Sequence, residues 1–130
     1  GSAHLVPSSP PAVKVCLTEY DKKALRVIED NARENSLEVE TTEFDWFRPR
    51  GSDIMLDVDE WDWFLFADVM YEKRFIEPVA RVIAMLLRQN KGSQAVFTDP
   101  QRSSFDSFIL ELRNLGLHVD TPAPCWASLK

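Results

Sequence analysis

The chain has 130 residues, enough for one compact domain that buries roughly two thirds of its unfolded surface. With 45% hydrophobic and 28% charged residues it has a globular composition, and its net charge of −6 argues against a nucleic-acid partner. No apolar run approaches the ~20 residues that span a bilayer, so we expect no membrane partner. Cys16 and Cys125 lack the short spacing of metal or redox pairs, which predicts free thiols and a cytoplasmic protein.

The first residues predict a flexible lead-in. Residues 1–11 are rich in proline and serine and lack the charged-then-apolar pattern of a signal peptide. We therefore expect a single α/β domain over residues 12–130.

The next segment predicts a strand, a helix and an edge strand. Val13–Leu17 is a short β-type run, and Asp21 then begins a helix whose apolar residues follow helical spacing. Asn35 and Ser36 end that helix. Glu38–Thr42 alternates weakly and predicts an edge strand with its glutamates facing solvent.

The middle of the chain predicts a long loop and then a core strand. Phe47–Glu60 contains a proline, a glycine and several acidic residues, as a surface loop does. Its acidic residues lack the glycine and spacing of a calcium loop, so we expect no metal. Trp61–Ala67 is almost continuously apolar, which predicts a central parallel strand covered on both faces.

The second half predicts two helices and a strand. Pro78 suits the first turn of a helix that ends near Asn90, because its missing N–H is not needed there. Gln94–Thr98 predicts a strand, and Ser103–Asp106 resembles a capping box for a helix that continues to Leu115.

Two further short strands, at residues 117–120 and 125–129, complete the prediction. Strand and helix alternate along the chain. This order predicts an α/β fold with a doubly wound, mostly parallel sheet and helices on both of its faces.

Acidic residues stand at the ends of two predicted strands. Glu19 follows the first strand, and Asp68 follows Trp61–Ala67. In open α/β sheets ligands bind outside the carboxyl ends of strands, where an acid commonly holds ribose hydroxyls. The pattern predicts a nucleotide-type pocket, although each acid alone would also suit the start of a solvated helix.

Four segments stand out in chain order, namely Leu17–Asp21, Asn31–Asn35, Phe44–Trp46 and Ala67–Tyr71. Together and in this order they resemble motifs of the seven-strand S-adenosylmethionine-dependent methyltransferases. The last resembles the Asp-x-x-Tyr motif of the protein-lysine methyltransferase group, and Thr98–Arg102 is similar to an Asp-Pro-Gly-Arg segment, with Gln101 replacing the glycine. The resemblance runs from about Val13 to Asp120 and implies a Rossmann-like methyltransferase fold with a protein lysine as substrate.

The resemblance also implies a cofactor, S-adenosylmethionine, and the residues that bind it. Glu19 would accept hydrogen bonds from the ribose hydroxyls, and Tyr20 would flank the adenosine. Asp45 and Trp46 correspond to the segment near the adenine, where a carboxylate accepts from the exocyclic amine and an indole offers a stacking face.

Two further residues carry the catalytic role that the resemblance implies. Asp68 and Tyr71 would sit at the mouth of the pocket and arrange the substrate amine. Methyl transfer needs a neutral, aligned nucleophile, so the enzyme mainly positions and deprotonates an ammonium group. No metal or covalent intermediate is required.

The chain departs from the family in one motif, the glycine-rich turn after the family's first strand. Its four glycines, at positions 1, 51, 92 and 116, do not supply that turn, so we expect an N-terminally truncated fold. The missing strand would lie between Val13–Leu17 and Trp61–Ala67. Either those two strands pair directly, or an apolar edge stays open and favours a homodimer.

Two functions follow from this departure. The first is a methyltransferase-like domain of the protein-lysine methyltransferase group. The alternative is a catalytically silent protein-interaction domain derived from a methyltransferase. A receiver-like module has less support, because it would need an acidic pair after the first strand and a lysine after the last.

Overall fold

The computed structural model describes residues 13–49, 60–69, 72–100 and 104–121. Besides the 3₁₀ helix Lys73–Phe75, these ranges contain four strands and three α-helices. In chain order they are β1 (Cys16–Glu19), α1 (Lys22–Glu34), β2 (Glu40–Glu43), β3 (Trp63–Ala67), α2 (Ile76–Gln89), β4 (Gln94–Thr98) and α3 (Phe105–Asn114). The described strands pair only in parallel, β1 with β2 and β3 with β4, so the prediction of an α/β chain with parallel strands is confirmed.

The chain divides into two compact units, Gly1–Asp45 and Trp46–Lys130, here called unit 1 and unit 2. Each unit contains one of the two described parallel sheets. The doubly wound arrangement and the single domain therefore stay predictions. The expected lead-in over residues 1–11, most of the acidic loop and the expected strand at 125–129 lie outside the described residues.

Unit 1 is a β-α-β segment whose helix begins as the sequence predicts. Asp21 is the N-cap of α1, and its side chain accepts a hydrogen bond from the Lys23 N–H at 2.9 Å. The Thr41 hydroxyl donates to Glu29 Oε1 at 2.8 Å and links β2 to the helix. These short-range contacts fix α1 on the β1–β2 sheet.

The end of α1 requires a left-handed residue. The Leu37 N–H donates to the Ala32 carbonyl at 2.8 Å, and the Ser36 N–H donates to the Arg33 carbonyl at 3.1 Å. Together they form a Schellman motif, in which the residue after the C-cap is usually glycine. Here that residue is Ser36, with φ of 55°, so an L-residue occupies a conformation that costs it energy.

We predict that Ser36→Gly stabilises the protein by about 0.5–1 kcal/mol, because glycine adopts this conformation without the Cβ clash. Urea denaturation followed by circular dichroism measures the change in the free energy of unfolding. Ser36→Ala is the control, since it keeps the Cβ and should change stability little. A destabilising Ser36→Gly would contradict this explanation.

Unit 2 has a core between its parallel sheet and two helices. Phe64 and Phe66 on β3 are buried, and the Phe97 ring on β4 lies 5.1 Å from the Phe108 ring of α3. Helix α2 buries a wide apolar stripe, which is Val79, Ala80, Val82, Ile83, Ala84 and Leu86. The helical spacing in the sequence predicts most of this stripe.

The opposite face of the β3–β4 sheet is open in the described part of the chain. Trp63 is 56% exposed, Leu65 is 77% exposed and Val96 is 44% exposed. The prediction that this strand is covered on both faces is therefore wrong for the described residues. A continuous apolar run shows that both faces of the strand are apolar, but it does not show whether another element packs on the second face.

One prediction around α3 is corrected, and another lies partly outside the described residues. The helix begins after Ser104, whose side chain makes no capping hydrogen bond, and Ser103 of the predicted capping box lies outside the described residues. Residues 117–120 form no strand. Instead, Gly116 with φ of 87° closes a Schellman motif, and Arg113 Nη2 donates to the Val119 carbonyl at 3.2 Å. This local bonding holds the segment against the helix end.

A buried asparagine joins the start of β3 to the end of α2. Asn90 is 1% exposed, and its Oδ1 accepts from the Glu60 and Trp61 N–H groups, both at 2.9 Å. Its Nδ2 donates to the Leu86 carbonyl at 2.9 Å. Both polar atoms of the buried amide are therefore hydrogen-bonded, as burial requires.

We predict that Asn90→Ala lowers the free energy of unfolding by about 3 kcal/mol, because buried backbone groups lose their partner. Chemical denaturation measures the loss. Asn114→Ala, at the exposed end of α3, is the matched control and should change stability by less than about 0.5 kcal/mol. Equal effects of the two substitutions would show that the buried amide is not a special constraint.

None of the described helices is long and apolar enough to cross a membrane.

Candidate functional site

The carboxyl end of β1 carries Glu19, whose side chain folds back onto the backbone that follows. Glu19 Oε1 accepts hydrogen bonds from the Tyr20 N–H at 3.0 Å and the Asp21 N–H at 3.2 Å. The hydrogen bonds found for this carboxylate among the described residues use Oε1 alone. Its orientation is thus fixed through one oxygen, while Oε2 retains its acceptor capacity.

Asp45 lies at the same edge of the unit 1 sheet as Glu19. Parallel pairing aligns Glu19 with Glu43, and the Phe44 N–H donates to the Glu19 carbonyl at 2.9 Å. Phe44 is buried, which anchors the chain immediately before Asp45. The structure therefore brings Glu19 and Asp45 to one sheet edge, with Tyr20 beside them and 65% exposed.

In unit 2, Asp68 follows β3 in a left-handed backbone conformation. Its φ is 51°, and its N–H donates to the Thr98 carbonyl of β4 at 3.0 Å. Positive φ is uncommon outside glycine, although aspartate tolerates it better than most residues. Such strained residues are enriched at functional sites. The sequence predicts the acid at this strand end but gives no sign of its backbone conformation.

Trp46 packs within unit 2 against the strand that ends at Asp68. The Trp46 and Phe66 ring centroids are 5.9 Å apart, and Phe66 is two residues before Asp68. The structure therefore packs Trp46, the tryptophan predicted to lie near the adenine, against the β3 strand. This contact also gives Trp46 a packing role, which is the common role for a half-buried indole.

Asp99 is a further acid at the carboxyl end of the unit 2 sheet. It directly follows β4 and is half-buried. In the sequence Asp99 belongs to Thr98–Arg102, the segment similar to Asp-Pro-Gly-Arg, and Arg102 lies outside the described residues. Its position at a strand end, the same signal that identified Asp68, marks Asp99 as a candidate site residue.

The predicted site residues divide between the two units or lie outside the described ranges. Glu19, Tyr20 and Asp45 belong to unit 1, whereas Trp46 and Asp68 belong to unit 2. Tyr71, the second predicted catalytic residue, is outside the described part of the chain. Its catalytic role stays a prediction.

The described glycines serve as helix ends. Gly92 has φ of 79° and follows α2, and Gly116 follows α3. Neither belongs to a turn between a strand end and a helix, which is the place of a cofactor-binding glycine loop. Within the four described ranges, no group of three or more metal-ligating side chains is found.

Comparison with known proteins identifies the family. A family model described as lysine methyltransferase matches residues 3–114. The chain belongs to this lysine methyltransferase family. The resemblance predicted from the sequence motifs is therefore confirmed at the level of the family, while the roles of individual motif residues stay predictions.

A member of known activity shows similarity over most of the chain. The calmodulin-lysine N-methyltransferase of Arabidopsis thaliana is 27% identical over 120 residues. The alignment covers 88% of this chain but 38% of the relative, so the chain spans well under half of that protein. No solved structure matches the chain significantly.

Proposed function

We propose that this chain is an S-adenosylmethionine-dependent methyltransferase-like domain of the protein-lysine methyltransferase group, with adenosine-binding and lysine-positioning residues. The observation that carries the proposal is the pair of carboxylates, Glu19 and Asp45, at one strand edge in a chain of the lysine methyltransferase family. The experiments below test the two roles separately.

The residues of unit 1 fit the adenosine end of S-adenosylmethionine. Glu19 is an acceptor-only group whose Oε1 is fixed by two backbone N–H groups, which leaves Oε2 for ribose hydroxyls. Asp45 at the same edge is an acceptor for the exocyclic amine of adenine. Tyr20 offers an exposed ring beside Glu19. Because Glu19 is held before any ligand arrives, binding costs little side-chain ordering.

The residues that follow β3 fit the lysine end. When bound, S-adenosylmethionine supplies an electrophilic methyl group on a sulfonium. In our proposal Asp68 accepts a proton from the substrate ammonium and orients the neutral amine, with Tyr71 as a second hydrogen-bonding group. The Thr98 contact and the left-handed backbone fix the start of this segment.

We also propose that β1–β2 and β3–β4 belong to one doubly wound sheet within a single domain. Both are parallel pairs, and helix α3 follows the second pair in the chain. In the family's sheet a strand lies between the strands that correspond to β1 and β3. The open apolar face with Trp63 and Leu65 is consistent with a sheet that is incompletely covered here.

The first test is a calorimetric titration of S-adenosylhomocysteine into the chain and its Glu19→Ala variant. We expect Glu19→Ala to weaken binding at least about tenfold, because hydrogen bonds to a charged group contribute about 1.5–3 kcal/mol each. Glu43→Ala is the matched control, since Glu43 is the exposed register partner of Glu19. Equal weakening by the two substitutions would contradict the role of Glu19.

The second test measures transfer of tritiated methyl groups from S-adenosylmethionine to calmodulin, the substrate of the Arabidopsis relative. Asp68→Asn should lower the rate at least about 100-fold, as expected for loss of a general base. Stability should change by less than about 1 kcal/mol, because asparagine also tolerates positive φ. Asp30→Asn neutralises an exposed carboxylate on α1 and should leave the rate unchanged.

The alternative function, a catalytically silent interaction domain, stays a second proposal. The exposed apolar face of the β3–β4 sheet favours it, because soluble proteins rarely leave such patches without a role. Absence of any heat in the S-adenosylhomocysteine titration, with a folded protein, would favour this alternative. Homodimerisation through an open sheet edge is a separate prediction that light scattering of the purified chain checks.

A further inference from the structure

An open cleft of about 540 Å³ lies in unit 2 beside the first turns of α2. We call it the Arg74 cleft. Its charged and aromatic lining consists of Phe47, Lys73, Arg74, Glu77, Arg81 and Glu111. Three cations thus face two carboxylates, in a chain whose net charge is −6. Glu72, which pairs with Arg74, adds a third carboxylate at the margin of the cleft. The cleft therefore offers an anion cationic groups that are unpaired or weakly paired, and no net positive charge.

Existing contacts hold the Arg74 side chain in place. Its guanidinium carbon lies 4.9 Å from the centre of the Phe75 ring and 6.0 Å from that of Phe47. Its Nε donates to Glu72 Oε2 at 2.6 Å. That bond uses one of the five guanidinium donors and leaves the terminal nitrogens able to bind another carboxylate.

The other two cations of the cleft, Arg81 and Lys73, differ in whether they form an ion pair. Arg81 forms an ion pair with Glu77, the residue one helical turn earlier. Both side chains are well exposed, so the pair is weak and an incoming carboxylate can share the arginine. Lys73 has no ion-pair partner among the described residues of the chain. Its charge is therefore available to a ligand.

The cleft is close along the chain to the residue proposed to receive the substrate lysine. Asp68 and Lys73 are five residues apart, which limits their Cα separation to about 18 Å. An extended peptide spans the same distance with about five or six residues. A substrate whose lysine reaches Asp68 therefore places residues a few positions away within reach of the cleft.

We propose that the Arg74 cleft docks an acidic segment of the protein substrate, about four to six residues from the methylated lysine, an inference that rests on the proposed function. Carboxylates of that segment bind Lys73 and the terminal nitrogens of Arg74. The half-exposed Phe47 ring packs against the stem of the bound segment. The cleft thereby contributes substrate selection, while Asp68 handles the amine.

The test uses two fluorescein-labelled lysine peptides of equal length, one with glutamates and one with glutamines at positions −6 to −4 and +4 to +6. Fluorescence anisotropy measures their dissociation constants for the chain without S-adenosylmethionine. We expect the glutamate peptide to bind at least fivefold more tightly. The double substitution Lys73→Gln and Arg74→Gln should bring its affinity to that of the glutamine peptide.

The matched control removes the same charge from another surface. Lys23→Gln combined with Arg26→Gln, both exposed on α1, should change the affinity by less than twofold. Lys73→Gln alone breaks no ion pair among the described residues and should weaken glutamate-peptide binding by two- to threefold. This single variant replaces the double variant in the test if the double variant unfolds. Circular dichroism checks that each variant is folded.

Three outcomes would overturn the inference. They are equal binding of the two peptides, equal loss in the cleft and α1 variants, and tighter binding of a twelve-residue oligothymidylate than of the glutamate peptide. The assay contains no methyl donor, so its result is independent of the S-adenosylhomocysteine titration. Failure of the cleft and failure of the proposed function are therefore distinguishable.

Discussion

The buried amide of Asn90 is the constraint on which unit 2 depends. It accepts hydrogen bonds from two backbone N–H groups just before β3 and donates to the end of α2, so strand and helix are fixed to each other. The Gln94 N–H then donates to the Asp62 carbonyl, and this contact starts the β3–β4 register. That register carries through to Thr98, which binds the backbone of Asp68. A contact at one end of the sheet thus positions an acid at the other.

Two of the candidate site acids, Glu19 and Asp68, are held in place by different means. In unit 1 the backbone supplies donors to the Glu19 carboxylate, which fixes a side chain. In unit 2 the Thr98 carbonyl of the neighbouring strand accepts a hydrogen bond from the Asp68 N–H, which fixes a strained backbone. The first arrangement suits a group that accepts hydrogen bonds from a ligand, because one oxygen stays available. The second suits a group that must be presented at a fixed point after the strand.

Much of the local structure follows from short-range sequence signals. Asp21 as an N-cap, Asn35 and Ser36 as the helix end, and the apolar stripe of α2 all depend on residues within one or two turns of each other. Strand ends that terminate in Glu19 and Asp68 are visible in the sequence for the same reason. The four motifs in order were enough to predict the family, which the family model then confirmed.

By itself the sequence determined the order of the four described strands and three α-helices, the family and the acids at strand ends, because each is encoded by neighbouring residues. Only the tertiary structure decided that Trp63 and Leu65 face outward, since exposure depends on what packs against a strand and not on its composition. It also decided the left-handed conformation of Asp68, the bonding of Asn90 and the cleft at Arg74. These arise from contacts between residues distant in sequence, which no local pattern records.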